Sequence, residues 1–159
     1  MEVRAMRWWD VAAVHRLEQE LFGPTAWSAE TFWGELAHPG RTYLVAVEPA
    51  ADGGPEELLG YGGVVVPGAD ADVQTLGVAP GAQRRGLGRT LLRRLVTAAR
   101  DGGATHLLLE VRADNEPAQA LYLAEGFRRI ARRARYYQPG DVDALVLRAD
   151  LRGSAGGGR

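Results

Sequence analysis

The 159-residue sequence contains no cysteine and no lysine, and it has one isoleucine (Ile130) and one asparagine (Asn115). The lack of cysteine excludes disulfides and thiolate metal sites. The lack of lysine leaves all 19 basic side chains as arginine. With the single isoleucine and asparagine, this reads as the mark of a genome biased against AT-rich codons. Under that bias a lone asparagine draws notice, because Asp or Ser caps a helix equally well. Long hydrophobic runs are missing too. Stretches such as Leu107-Leu108-Leu109 fall far short of the roughly 20 apolar residues that span a bilayer. The opening Met1-Glu2-Val3-Arg4 lacks the basic-then-apolar pattern of a secretion signal. Nor is either charge in excess: the net charge is −1, too small to drive nucleic-acid binding. These absences lead us to expect a cytoplasmic protein without metal, membrane or nucleic-acid partners.

What is present is an ordinary globular composition, 46% hydrophobic and 25% charged, at a length that suits one core. Glu2–Arg7 alternates as a short strand. Asp10 stands as an N-cap before a helix reaching about Phe22, whose Val11, Val14, Leu17 and Leu21 follow helical spacing. Gly23-Pro24 breaks it. Ser28 caps a second helix carrying Phe32, Trp33 and Leu36, which Pro39-Gly40 ends. Thr42–Glu48 and Leu58–Val66 read as strands around a solvated loop, and Asp72–Ala79 as another. The spacing of Leu87, Leu91, Leu92, Leu95, Val96 and Ala99 predicts a long helix from about Gly86 to Arg100. Next come a strand, Thr105–Arg112, and a short helix, Glu116–Glu125, with Pro117 in its first turn and Gly126 at its end. Two last strands, Phe127–Tyr137 and Val142–Arg148, are joined through Pro139-Gly140-Asp141. The order β-α-α-β-β-β-α-β-α-β-β describes one α/β (α+β-like) domain with a mixed sheet over residues 1–150. A Gly-rich tail, 151–159, is expected to be disordered.

The segment Gln83-Arg84-Arg85-Gly86-Leu87-Gly88 follows a strand and opens the long helix. Such a junction binds anions, because free backbone N–H groups point outward and the helix dipole adds about half a positive charge. Glycines let the backbone approach a phosphate, and Arg84, Arg85 and Arg89 add formal charge. Two well-known phosphate loops do not fit. A Walker loop needs Lys where Leu87 stands. A dinucleotide fingerprint needs a third Gly where Leu91 stands. Loop chemistry alone leaves an ordinary strand–turn–helix junction as an equal alternative.

The ordered set of motifs goes further. Leu76-Gly77-Val78-Ala79-Pro80, then Gln83–Gly88 as Q-x-x-G-x-G, then Leu109-Glu110-Val111-Arg112-Ala113-Asp114-Asn115, then Ala120–Phe127, then Arg135-Tyr136-Tyr137 resemble the GNAT N-acetyltransferases in order and spacing. Within that family the set is similar to the RimI-type branch, which acetylates the N-terminal alanine of a ribosomal protein, bS18. The resemblance is strong over residues 76–147 and weak over 1–66. It implies a single domain with a mixed, mostly antiparallel sheet of six to seven strands and about four helices. It implies acetyl-CoA as co-substrate, no metal, and a protein N-terminus as acceptor, with the enzyme a monomer or weak dimer. Leu76, Gly77 and Val78 would meet the pantetheine arm through their backbone, as an added strand does. Amides from Arg84 through Arg85, Gly86, Leu87 and Gly88 to Arg89 would hold the pyrophosphate. Asn115 would hydrogen-bond the cofactor arm, act as a helix N-cap, or both.

Acetyl transfer requires an amine to lose a proton and a thiolate to gain one. At neutral pH roughly a tenth of an α-amine is already neutral, against well under a thousandth of a lysine amine. A base for an N-terminal substrate therefore has little to do, and a carboxylate suffices, directly or through water. Glu110 is the candidate base. It interrupts an apolar run typical of a strand buried on both faces, where a carboxylate is costly unless functional or paired, for instance with Arg112. Tyr122 is the acid that the resemblance implies; a core tyrosine is its bland alternative. By the same resemblance Tyr137 would lie near the acceptor and Trp27 would help wall the groove; these are the substrate-side candidates. His15, His38 and His106 show no metal spacing and read as surface or cap residues. The run Arg128, Arg129, Arg132, Arg133, Arg135 reads as a solvated strand edge that could serve a ribosomal partner. Glu18, Glu20, Glu30 and Glu35 either attract a basic peptide or form a polar helix face. The competing functions are a GNAT enzyme for small amines or protein lysines, and a non-enzymatic binding module.

Overall fold

The computed structural model describes residues 1–138 and 140–152. The first strand, β1 (Glu2–Ala5), stops two residues short of the expected Arg7. Met6 turns into the core, and Trp8–Asp10 form a 3-10 turn. Helix α1 (Val11–Phe22) begins after Asp10, but the Asp10 carboxylate does not cap it. That carboxylate accepts instead from the Arg7 amide at 2.8 Å and twice from Arg4. Gly23, with φ of 52°, ends α1. Helix α2 (Ala29–Ala37) starts as expected, with Ser28 Oγ accepting from the Thr31 amide at 3.2 Å. There follow β2 (Arg41–Glu48), β3 (Glu57–Val65), β4 (Asp70–Val78), α3 (Leu87–Asp101), β5 (His106–Arg112), α4 (Glu116–Ala124), β6 (Arg128–Tyr137) and β7 (Val142–Asp150).

The seven strands form one sheet in the order β1-β2-β3-β4-β5-β7-β6, antiparallel except for β4 with β5. Side chains alternate across a strand, and β2 shows the result. Tyr43, Val45 and Val47 pack with α1 and α2 on one face. Leu44 and Ala46 pack with α3 on the other. Helix α3 buries Leu87, Leu91, Leu92, Leu95 and Ala99, nearly all of the stripe its spacing predicted. The edge strand β6 is exposed almost throughout. Phe127, expected at its start, is buried just before it.

Two irregularities shape the site. Between Gly63 and Val64 of β3 the pairing skips a residue, leaving Gln74 of β4 as a bulge. A bulge bends its strand. From there β4 stays with β3 and β5 stays with β7; the two are paired only over Asp70–Asp72 and His106–Leu108. The sheet thus opens as a wedge in the middle. The second irregularity lies in β6, where Ala134, Arg135 and Tyr136 bulge out between the pairs Arg133↔Ala144 and Tyr137↔Val142. Arg135 takes φ of 53° there, and its amide donates to Asp143 Oδ1 at 2.9 Å.

At the other end, the packed chain runs past Asp150. Leu151 is buried, and its amide donates to the Thr105 carbonyl at 2.9 Å. The domain therefore extends at least one residue into the stretch expected to be a disordered tail. Pro139 and residues 153–159 lie outside the described residues. Among the described residues no helix is long and apolar enough to cross a membrane.

Candidate functional site

A groove follows the wedge between β4 and β5. It is lined by Trp27 on one side, the start of α3, Glu110 on β5, Asn115 and Tyr122 at α4, and Tyr136 and Tyr137 on β6. Leu76, Val78, Arg84, Gly86, Leu87, Gly88 and Arg89 line it too. Most of the residues singled out from sequence therefore meet in one place. Gly77 and Arg85 do not line it.

The end of the groove at the start of α3 is built from backbone. Gly86, at φ of 75°, is the N-cap of α3 and offers no capping side chain. The amides of Leu87, Gly88 and Arg89 form the first turn, where a helix has no internal partners for its N–H groups. Arg84 also has positive φ, 69°, a strained conformation for a side-chain-bearing residue. Positive φ at Arg84 and Gly86, on either side of Arg85, is the kind of backbone alternation from which anion nests are built. Two of the three arginines noted at this junction, Arg85 and Arg89, are engaged within the protein. Arg89 and Arg93 both pair with Glu125 beyond the end of α4, at 3.1 and 2.7 Å. Arg85 reaches back to the Gly81 carbonyl at 3.5 Å. Gln83 Nε2 donates to the Val78 carbonyl at 3.2 Å, tying the loop to β4. Gly77 serves packing: a Cβ there would lie 2.7 Å from the Tyr61 ring.

Past the loop, the edge of β4 that faces β5 is unpaired beyond Asp72, so an extended arm could add to it as a strand would. Asn115 caps α4, its Oδ1 accepting from the Ala118 amide at 3.2 Å. Its side-chain amide nitrogen has no partner among the described residues. Tyr122 is 8% exposed and packs on Phe127. Its hydroxyl makes no hydrogen bond to the described residues. Burial, then the neighbouring Tyr137, push that hydroxyl up to about 12.

Glu110 departs from expectation. Its strand is not buried on both faces: Leu107, Leu109 and Val111 join the core around α3, while Glu110 is exposed to the groove. Its ion-pair partner is Arg133, at 3.6 Å, rather than Arg112. Arg112 pairs with Asp114 and lies over the Tyr137 ring, 5.4 Å from its centroid. Burial and then Glu110 raise the Tyr137 hydroxyl to about 12. The Glu110 carboxylate, more than burial, raises Tyr136.

On the opposite wall, Trp27 packs on Phe32. Its amide donates to Glu18 Oε2 at 3.0 Å. Glu18 Oε1 also accepts from Tyr61 at 2.6 Å and Thr75 at 3.0 Å. Glu18 is therefore a buried carboxylate, 2% exposed, and not part of a polar helix face. Its position carries a signal: it stands four residues after Val14, on the apolar stripe of α1. Asp72, Arg133 and Tyr136 also line the groove; Tyr136 stands in the Arg135-Tyr136-Tyr137 motif and Arg133 in the arginine run, while nothing in its local sequence marks Asp72.

A model of the acetyltransferase (GNAT) family matches residues 7–127. The chain belongs to the GNAT acetyltransferase family. It is 41% identical to the N-alpha-acetyltransferase RimI of Mycobacterium tuberculosis, over 89% of this chain and 87% of that protein. It is 34% identical to the [ribosomal protein bS18]-alanine N-acetyltransferase of Salmonella typhimurium, over 87% and 89%. The crystal structure of the ribosomal-protein-S18-alanine N-acetyltransferase from Escherichia coli superposes with a TM-score of 0.81 at 27% identity, over 94% and 93% of the two chains. GNAT enzymes take their acetyl group from acetyl-CoA. The nest before α3 and the open edge of β4 have the chemistry to hold such a donor: amides for a pyrophosphate, and backbone donors and acceptors for an amide-bearing arm.

Proposed function

We propose that this protein transfers the acetyl group of acetyl-CoA to the free α-amine of a protein N-terminus, the N-terminal alanine of ribosomal protein bS18. The observation that carries the reading is the convergence of Glu110 and Tyr122 on one groove beside the α3 nest. The likeness to RimI-type relatives supports the choice of acceptor. Leu76 and Val78 bind the donor's arm through their backbone, amides from Arg84 to Arg89 hold its pyrophosphate, and the free amide nitrogen of Asn115 reaches the arm. When bound, the donor supplies a thioester carbonyl as electrophile.

The α-ammonium first gives up a proton, to Glu110 or to water that Glu110 holds. The neutral nitrogen then attacks the thioester carbon, forming the C–N bond, and the C–S bond breaks. Glu110, having passed the first proton to solvent before the attack, takes the second from the nitrogen, and the sulfur gains one. Tyr122 is the donor at the sulfur. A hydroxyl at about 12 holds its proton more tightly than a thiol near ~8.5. It therefore acts first by hydrogen bonding to the departing sulfur, with proton transfer completed as the product leaves. Tyr137 and Trp27 flank the acceptor peptide.

The test is a peptide panel with free N-terminal Ala, Ser, Met or Gly, alongside N-terminally blocked peptides that carry lysine. Acetylation is read by mass spectrometry. Free alanine peptides are expected to react fastest. Reaction of blocked lysine peptides or small amines alone would overturn the reading.

A further inference from the structure

Asp72 sits at the point where β4 and β5 part. It pairs with Leu108, two residues before Glu110 along β5. At about 3.3 Å per residue along a strand and about 4.8 Å between strands, its Cα lies at least about 8 Å from that of Glu110. Paired residues share a face of the sheet, so both carboxylates look onto the groove. The Asp72 carboxylate makes no hydrogen bond or ion pair with the described residues. Partial burial raises its pKa, and the charges acting on it, Glu110 and Asp70, are both negative and raise it further. Two arginines of the groove wall are committed elsewhere, Arg133 to Glu110 and Arg112 to Asp114; Arg148, on the far side of Leu108, is not among the charges that shift Asp72. A lone carboxylate beside a second one is unfavourable in the free protein. A positive charge brought to both relieves that repulsion. Tyr122 gives a separate sign that the groove takes a ligand, since its buried side chain lines the groove with a hydroxyl that has no partner among the described residues.

We infer that Asp72 is a cation-recognition residue for the acceptor, forming with Glu110 a two-carboxylate seat for a positively charged nitrogen of the incoming substrate. The inference rests on the reading of this groove as an acetyl-transfer site. The charged nitrogen is either the α-ammonium, which about nine-tenths of N-termini carry at neutral pH, or a basic side chain on the second residue. Consecutive Cα atoms are only about 3.8 Å apart, so one seat is within reach of both. If the α-ammonium is bound, its proton moves to Glu110 and Asp72 is unchanged by the reaction.

The experiment measures steady-state kinetics with three peptides that start Ala-Gln, Ala-Arg and Ala-Glu. The enzymes are the wild type, Asp72→Asn and Asp72→Glu, each at low and high salt. Asp72→Asn is expected to raise the acceptor KM about tenfold, with kcat and the KM for acetyl-CoA within about twofold. It should also flatten the salt dependence of the acceptor KM, and Asp72→Glu should recover most of the loss. An equal loss for all three peptides identifies the α-ammonium as the bound cation; a loss for Ala-Arg alone identifies the side chain. An unchanged acceptor KM in Asp72→Asn for every peptide overturns the inference while leaving the function intact. Failure of the wild type to acetylate any of the three overturns the functional reading, and this inference with it.

Discussion

The two halves of the groove are built differently. The half we assign to the donor, from β4 through α3 and β5 to α4, relies on backbone: a strand edge left unpaired by a bulge, and a helix start left uncapped by Gly86. The half we assign to the acceptor relies on side chains from distant elements: Glu18 and Trp27 near α1, Asp72 on β4, Tyr136 and Tyr137 on β6. Backbone sites depend on chain conformation and tolerate changes of side chain. Side-chain sites are sensitive to single substitutions, and they are where closely related enzymes can differ in acceptor.

The largest expected effect falls where the halves meet. Glu110→Gln should lower kcat by about 10²- to 10⁴-fold while acetyl-CoA affinity, measured by calorimetry, stays unchanged. Tyr122→Phe should lower kcat by about 10²-fold with the same affinity. Full activity in both variants would remove the catalytic pair from the account. Within the donor half, Gly86→Ala forces a side chain into positive φ, costing roughly 1–2 kcal/mol. Acetyl-CoA should then bind about tenfold more weakly, with acceptor KM unaltered. Within the acceptor half, Glu18→Gln leaves at least one of three donors without its acceptor, at a cost of roughly 1–3 kcal/mol. Thermal unfolding should show the loss, and acceptor KM should rise severalfold as the Trp27 segment loosens. If Glu18→Gln instead weakens acetyl-CoA binding, the division into halves is wrong.

The pH profile is a smaller effect. Below about pH 8, kcat/KM should rise with pH as the α-amine becomes neutral. Tyr122 must be protonated to donate. With its hydroxyl raised to about 12, it stays protonated across that range, so no alkaline fall is expected below about pH 10. A fall that begins near pH 8 would mean that another group supplies the proton.

The same contrast explains what is legible in sequence. Strand and helix order, the apolar stripe of α3 and the Ser28 cap depend on local periodicity and can be read directly. The Gly-rich turn that opens α3 is legible for the same reason, because its glycines and its position before a helix are local. Tyr122 stands out through family likeness, and Glu110 both through that likeness and as a carboxylate in an apolar run. The surroundings of Glu110 are not legible, because an apolar run does not reveal whether a layer covers its second face; here that face opens onto the groove. The place of Glu18 on the apolar stripe of α1 is legible, but its role is not, because its three partners lie at positions 27, 61 and 75. Such long-range pairings leave no pattern around the residue itself.

The most direct test is a competition within one molecule. A peptide with a free N-terminal alanine and one internal lysine is incubated with acetyl-CoA and the enzyme at neutral pH, and tandem mass spectrometry locates the acetyl group. The neutral fractions of the two amines alone favour the α-nitrogen by roughly two hundredfold. The account predicts acetyl on the alanine nitrogen, with almost none on lysine. Acetylation chiefly on the lysine nitrogen would contradict it.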